Sequence, residues 1–449
     1  MLTSIFYENF QIHSTEIAIN WKDRYYRYYE LMEDIIKFRK YLEQNNINQG
    51  SRVALFGDFT PKSISLLFAL IEIKSIIIPL NKASIKDQKK YLNIAEAEFA
   101  FYLNDDDELI LESFNTIKES THQIYIDLIS SKEPGLVLFS SGTSGEPKCA
   151  VHNLNKLLIK YSSKRKTLRT LNFLLFDHWG GLNTMFHILS NGGMLVSVKD
   201  RSPEGICQLI QKYKIQLLPT TPTFLNLLLL NSNLFQKYDL SSLEIITYGA
   251  EPMPKSTLNR VSDEFKNVKL LQTYGLIELG VMRSKSENNN SLWFKIEDEN
   301  YKMKVVKKIL YIKTDSAMLG YLNAASPFDE DGWFITGDEV EEKGEFIKVL
   351  GRKSEIINVG GEKVYPQEVE NVIKEIKNIF DVLVFGEPNA LVGTIVCARV
   401  KLINIEDEKS VITRVKLECK KQLPSFKRPV KIFFEESEFY NDRFKKIRS

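Results

Sequence analysis

The sequence predicts an α/β fold: a large N-terminal domain of layered α/β subdomains with a β-rich subdomain, then a small mobile α+β C-terminal domain. Three observations predict it. Short apolar runs such as RVALFGD and SIIIPL alternate with segments of helical period through the first half. From about Trp293 the pattern changes to short strands, FKI, KMKVV and ILYIKT, separated by polar turns. After Lys353 a unit of about 95 residues restarts strand–helix alternation. A chain of 449 residues is also too long for one core.

The elements follow in order. Helical period runs from about Tyr26 to Asn45, and Gly50 precedes the strand RVALFGD. A helix from Pro61 to about Lys74 leads to the strand SIIIPL. The helix DQKKYLNIAEA then precedes the strand EFAFYL, and a polar stretch near Asn104 to Glu119 leads on to a glycine-rich loop. Strand and helix signals continue through LNFLLF, TMFHILSNGG, GMLVSV, a helix from about Ser202, IQLLPT and the leucine-rich TFLNLLLL. EIITYGA and VKLLQTYG both pass from strand to loop at a Tyr-Gly pair, and parallel sheets bind ligands at such edges. The last unit reads EIINVGGEKVYP, the helix QEVENVIKEIK, then the strands FDVLVFG and TIVCARVKL. The predicted domains are therefore residues 1–351 and 355–449, joined by a hinge at 352–354.

Net charge is +2 over 118 charged side chains, with no basic block, so nucleic acid is not an expected partner. The longest apolar region is broken by Glu72 and Lys74, which argues for a helix and a strand over a membrane span. The N-terminus lacks the basic and apolar regions of a secretory signal. Cys149, Cys207, Cys397 and Cys419 form no C-x-x-C pair, so zinc is not expected, and reduced buried thiols suit a cytoplasmic location.

The loop from Phe139 to Lys148, FSSGTSGEPK, carries the strongest chemical signal. Gly142 and Gly145 remove side-chain bulk, so backbone N–H groups can approach a phosphate closely. Ser140, Ser141, Thr143 and Ser144 add hydroxyl donors, and Lys148 adds charge. It is not a Walker A loop, because only two residues separate the glycines and Pro147 precedes the lysine. An ordinary Gly/Ser turn is the bland alternative.

Downstream, in order, lie YGLIE, GWFITGD, GRKSEIINVGGEKVYPQEVE and RFKKIR. Each is weak alone, since a lone Gly-Asp is usually a turn and a terminal basic run a solvated tail. Together with the glycine loop, their order and spacing resemble the adenylate-forming superfamily, which holds acyl- and aryl-CoA synthetases, peptide-synthetase adenylation domains and luciferases. The resemblance covers nearly the whole chain.

The resemblance implies ATP-dependent activation of a small carboxylic acid to an acyl-adenylate, followed by thioester formation, with ATP, Mg²⁺ and CoA or a carrier-protein phosphopantetheine. It implies that Ser140, Ser141, Gly142, Thr143, Ser144, Gly145 and Lys148 hold the β- and γ-phosphates. Gly249, Ala250 and Glu251 match the segment beside adenine. Tyr274, followed by Gly275, matches the aromatic residue that stacks on the base. Glu278 matches a Mg²⁺-holding carboxylate, Asp338 the acceptor for both ribose hydroxyls, and Arg352 the arginine at the domain junction. The family's closing lysine falls on Lys445 when Arg448 is aligned with the family arginine, or on Lys446 when Lys-Ile is aligned instead. Gly360 and Gly361 match the segment that lines the thiol channel after domain rotation, with the hinge at Lys353 or Ser354.

Three departures stand out. Cys149 replaces the usual final glycine of the loop, and Ile277 replaces the threonine that touches the α-phosphate. Ser354 stands where Asp or Lys is usual. The acid pocket falls on Asp177, His178, Trp179 and Gly180. Asp177 would suit an amino-acid substrate, whereas His178 before small residues resembles acyl- and aryl-CoA synthetases. His178 is open between a gate and a core histidine. Trp179 and the run TTPTF hint at a short or aromatic acid. The main reading is an acid–CoA ligase. The alternatives are a stand-alone enzyme loading an acyl or amino acid onto a carrier protein and, on the strength of Ile277 and the unusual terminal motif with Phe444 in the glycine position, an impaired homologue acting as a binding subunit.

Overall fold

The computed structural model describes residues 2–114, 122–141, 146–389, 393–436 and 439–440. Continuous apolar runs become strands covered on both faces: all five residues of Arg52–Phe56 and of Ile76–Leu80 are buried. These two pair in parallel, flanked by Phe99–Leu103 and Gly135–Ser141, with antiparallel strands at the edges of a seven-stranded sheet. A second seven-stranded sheet holds Ile245–Tyr248 between Lys269–Gln272 and Leu217–Thr220, all parallel.

The helix Pro61–Glu72 lies in the core between these layers. Thr60 caps it by accepting from the Ser63 amide, and Pro61 opens its first turn. Phe68 meets Phe6, Phe10 and Phe186 with ring centroids 5.2, 5.4 and 5.9 Å apart. The apolar region predicted as a helix and a strand is that. Among the described residues no helix is long and apolar enough to cross a membrane.

From Ser284 to Arg352 the chain builds a six-stranded antiparallel sheet. The last unit has a three-stranded sheet, Ile379–Asn389, Gly393–Leu402 and Lys431–Phe434, under the helices Pro366–Lys374 and Glu408–Gln422. The layered α/β domain, β-rich subdomain and small α+β unit are all present.

Some elements escaped the sequence reading. Leu2–Ile12 is a helix, and Ile17–Trp21 with Arg24–Arg27 forms a hairpin on the second sheet. The polar stretch after Asn104 contains an edge strand, Leu109–Ser113, and Gln123–Ser130 is a helix. Edge strands and amphipathic termini carry too few consecutive apolar residues to announce themselves.

The C-terminal unit contains a buried ion pair: Lys374 Nζ lies 2.9 Å from Asp381 Oδ1, with side chains 10% and 7% exposed. Burial disfavours the ammonium, but Asp381, with Glu370 next and Glu251 beyond it, more than offsets this and holds the Lys374 pKa above its ordinary value. Asp381→Ala would remove the hydrogen-bonded partner of that ammonium and leave it to Glu370 and Glu251, lowering the stability of this unit by about 2–4 kcal/mol. Urea denaturation measures it, and a loss under about 1 kcal/mol would show that Lys374 does not depend on this partner.

Candidate active site

The strand Gly135–Ser141 runs into the glycine loop, and Pro147–Asn153 returns antiparallel, with Ser140 opposite Lys148 and Ser141 opposite Pro147. The loop is thus the tip of a hairpin. Gly142, Thr143, Ser144 and Gly145, and the side chain of Ser141, lie outside the described residues. The root of the hairpin is clamped by Asn323, whose Oδ1 accepts from the Cys149 amide at 2.9 Å while its Nδ2 donates to the Pro147 carbonyl at 2.9 Å. Both bonds flank Lys148, so its backbone is held while its side chain stays half-buried. Cys149 is buried, and burial pushes its thiol well up, so it is an inert packing residue.

Two parallel strands of the second sheet deliver the next residues at their C-terminal ends. After Ile245–Tyr248 come Gly249, Ala250 and Glu251; after Lys269–Gln272 come Thr273, Tyr274 and Gly275. The two ends are tightly packed. A Cβ on Gly249 would sit 2.3 Å from Thr273 Oγ1, so only glycine fits. Ala250 has φ +68°, a left-handed conformation that costs a non-glycine residue energy. Glu251 Oε1 accepts from the Thr223 amide at 2.6 Å, at the N-terminus of the helix Pro222–Leu230, where negative charge is favoured.

Asp338 is the centre of the site. It is 5% exposed, on the long strand Phe334–Lys343, after Gly337 with φ +73°. The Tyr274 hydroxyl donates to Asp338 Oδ2 at 2.5 Å, and Arg352 Nε lies 3.3 Å from Oδ1. Burial first, then Asp338, pushes the Tyr274 hydroxyl far above its ordinary pKa, so it stays a donor. Burial disfavours the Arg352 cation, but Asp338, with Glu278 beyond it, leaves its pKa raised. The Tyr274 ring stacks on Phe294, with centroids 5.8 Å apart.

Glu278 is held by a residue that the sequence reading missed. The Tyr321 hydroxyl donates to Glu278 Oε1 at 2.5 Å, and Lys148 Nζ lies 5.5 Å from the Tyr321 ring centroid. Tyr321 reaches this point because Gly320–Tyr321 pairs with the returning strand of the glycine hairpin, Tyr321 opposite Ala150. Only strand pairing brings it between Lys148 and Glu278. Tyr321→Phe removes a hydrogen bond to a charged group, worth about 1.5–3 kcal/mol. The Mg²⁺ concentration for half-maximal ATP–pyrophosphate exchange should rise about tenfold. An unchanged Mg²⁺ dependence would separate Tyr321 from the cation.

Ala250, Glu251, Tyr274, Gly275, Asp338 and Arg352 line one cavity of about 130 Å³, closed on one side by Gln367, Glu370, Asn371 and Lys374 of the C-terminal unit. Ile277 packs against two apolar clusters, so its side chain serves the core and offers no donor.

The acid-pocket residues lie at the start of the helix Trp179–Leu189. Asp177 is 3% exposed and accepts from Asn81 Nδ2 at 2.8 Å. His178 caps the helix: its Nδ1 accepts from the Gly180 amide at 3.0 Å, which places the proton of the neutral ring on Nε2. Trp179 is buried, and its indole N–H has no hydrogen-bond acceptor among the described residues.

Gly360 and Gly361 form the turn between Ile357–Val359 and Glu362–Val364. Gly361 lines a surface hollow with Lys307, Lys308 and Glu339, and Lys363 of the same hairpin is 3.2 Å from Glu339. The hairpin does not line the cavity around Asp338. Near the C-terminus, Tyr440 lines a groove with Asn81, Lys82 and Phe176. Lys445 and Lys446 lie outside the described residues.

The AMP-binding enzyme family matches residues 6–296, and the AMP-binding enzyme C-terminal domain matches residues 368–439. The chain is 24% identical over 464 residues to a 2-succinylbenzoate–CoA ligase of Enterococcus faecalis, covering 93% of this chain and 91% of that one. It is 25% identical over 436 residues to an indoleacetate–CoA ligase of Aromatoleum aromaticum, covering 85% and 84%. An anthranilate CoA ligase solved with anthranoyl-AMP superposes with a TM-score of 0.81 at 18% identity, covering 100% of this chain and 95% of that one. The Asp338-centred cavity, the hairpin that carries Lys148 and the family matches across both units agree, and the chain belongs to the AMP-binding enzyme family as an ATP-dependent acid–thiol ligase.

Proposed function

We propose that this chain activates a small carboxylic acid as its acyl-adenylate and passes the acyl group to the thiol of CoA, in the cytoplasm. The carrying observation is the convergence of Ala250, Glu251, Tyr274, Asp338 and Arg352 on one cavity at the ends of two parallel strands. Four free, buried cysteines support the reducing compartment.

In the first step a substrate carboxylate oxygen attacks the α-phosphorus. The bond from that phosphorus to the bridging oxygen breaks, and pyrophosphate leaves with the electron pair. Two anions must meet, so positioning and charge stabilisation dominate. Asp338 accepts from the ribose hydroxyls, and Tyr274 and Arg352 hold its carboxylate ready for them. Tyr274, Gly249, Ala250 and Glu251 flank the base. The hairpin from Ser140 to Lys148 grips the leaving pyrophosphate. Glu278 is chemically suited to Mg²⁺, which supplies charge neutralisation on the phosphates when bound. Among the described residues no three His, Cys, Asp or Glu side chains cluster as a metal site, and Glu278 would hold the cation together with oxygens of the bound phosphates.

In the second step the thiol sulfur attacks the acyl carbon, the bond to the AMP oxygen breaks, and the thiol proton passes to solvent. Gly360 and Gly361 serve this step after the C-terminal unit rotates about Lys353 or Ser354. The present arrangement suits the first step: Tyr440, and not the Gly360–Gly361 hairpin, borders the groove by Asn81 and Phe176.

ATP–pyrophosphate exchange over a panel of short and aromatic acids tests the proposal. Absence of exchange with any acid, in folded protein, overturns it and leaves the binding-subunit reading. Thioester formation with CoA is expected; transfer only to a carrier-protein phosphopantetheine would reassign the acceptor.

A further inference from the structure

We infer that the acid activated by this enzyme carries a second anionic group at its far end, received by a basic cavity behind the helix Trp179–Leu189. The inference rests on the proposed function and narrows its substrate.

The cavity has a volume of about 210 Å³ and is lined by Lys160, Arg165, Asn183, His187, Arg283 and Asp298. One helix links it to the predicted acid pocket, and one residue links it to the cavity around Asp338. Gly180, Asn183 and His187 stand at i, i+3 and i+7 on one helix, so they share a face that runs from the acid pocket into the cavity. Thr273, at the end of its parallel strand, lines both this cavity and the one around Asp338.

The charges do not balance. Among the lining residues, Lys160, Arg165 and Arg283 face one carboxylate, that of Asp298, and Glu297 lies near Arg283 outside the cavity. Lys160 Nζ is held only by neutral acceptors, Asn183 Oδ1 at 2.7 Å and the Val281 carbonyl at 2.8 Å. No side-chain ion pair engages Lys160, Arg165 or Arg283 among the described residues. Burial pulls the Lys160 pKa down to about 8 despite Asp298, with Arg165 adding to the fall. Burial, then Arg165 and Lys160, pulls His187 down to about 4. A cluster of cations held apart from counter-ions is suited to a carboxylate ligand. Arg165 and Arg283 are exposed at the mouth, so a bound anion need not be fully desolvated.

Pyrophosphate exchange would compare alkanedioic acids with alkanoic acids of equal chain length, and benzenedicarboxylic acids with benzoate. Diacids should be preferred at least tenfold in kcat/KM, and Lys160→Met should reduce that preference at least tenfold. A merely structural lysine would lower both acid types alike and leave the ratio unchanged. Should Lys160→Met fail to fold, Arg165→Ala at the exposed mouth decides, with an expected loss of preference of about threefold or more. Exchange with no preference for diacids, or a preference that survives in the folded variants, overturns the inference and leaves the proposed function standing. No exchange with any acid overturns the proposed function itself.

Discussion

Asp338→Ala should lower kcat/KM for ATP by about 10²–10⁴-fold, the equivalent of two hydrogen bonds to a charged acceptor at about 1.5–3 kcal/mol each. The side chain is almost fully buried and is held on both oxygens, by Tyr274 at 2.5 Å and by Arg352 at 3.3 Å. A carboxylate so fixed loses little freedom when a ribose docks. The variant also leaves the Arg352 cation without its partner, so thermal stability must be measured alongside. A readout independent of stability is the discrimination between ATP and 2′-deoxy-ATP. It should be strong in the unaltered enzyme and vanish in Asp338→Ala. Discrimination that persists in the variant would move ribose recognition elsewhere.

Lys445→Ala should depress adenylation by about 10²–10³-fold, in line with loss of one group that stabilises developing charge. Thioester formation from supplied acyl-AMP should change by no more than a few-fold, as expected of a lysine that acts only in the first step. The chain from Tyr440 to Lys445 spans at most about 18 Å when extended. Tyr440 borders the groove with Asn81, whose amide donates to Asp177, so the last described residue lies on the acid-pocket side. Lys446→Ala is the comparison. Normal adenylation in Lys445→Ala with loss in Lys446→Ala would select the other alignment. Loss in neither would remove the tail from the chemistry.

The residues with chemistry built into their type were legible in the sequence. Asp338 after a glycine, Tyr274 at the end of an apolar run and the Ser/Gly-rich loop stand out because their roles demand particular local backbone and particular side chains. Ala250, Glu251, Tyr274, Gly275, Asp338 and Arg352 do meet in one cavity. Tyr321 and Asn323 did not stand out. An aromatic and an amide in a loop-rich stretch are common, and their partners, Glu278, Pro147 and Cys149, are far away in the chain. The hydroxyl–carboxylate contact between Tyr274 and Asp338 was equally invisible, because nothing in two separate motifs says which atoms face each other.

The same division holds for the fold. Runs such as RVALF and IIIPL determine buried parallel strands by themselves, since no other placement covers both faces, and the period of the helix after Thr60 is likewise local. Strand order, the packing of Phe68 between layers and the hairpin at the N-terminus are decided only when distant apolar faces find each other. For the substrate the consequence is direct. The sequence alone determined that an acid is activated with ATP, through local motifs for phosphate and ribose. The basic cavity needs Lys160, Arg165 and Arg283, from segments with no local signature, and only tertiary packing of a helix against strand ends brings their like charges into one place.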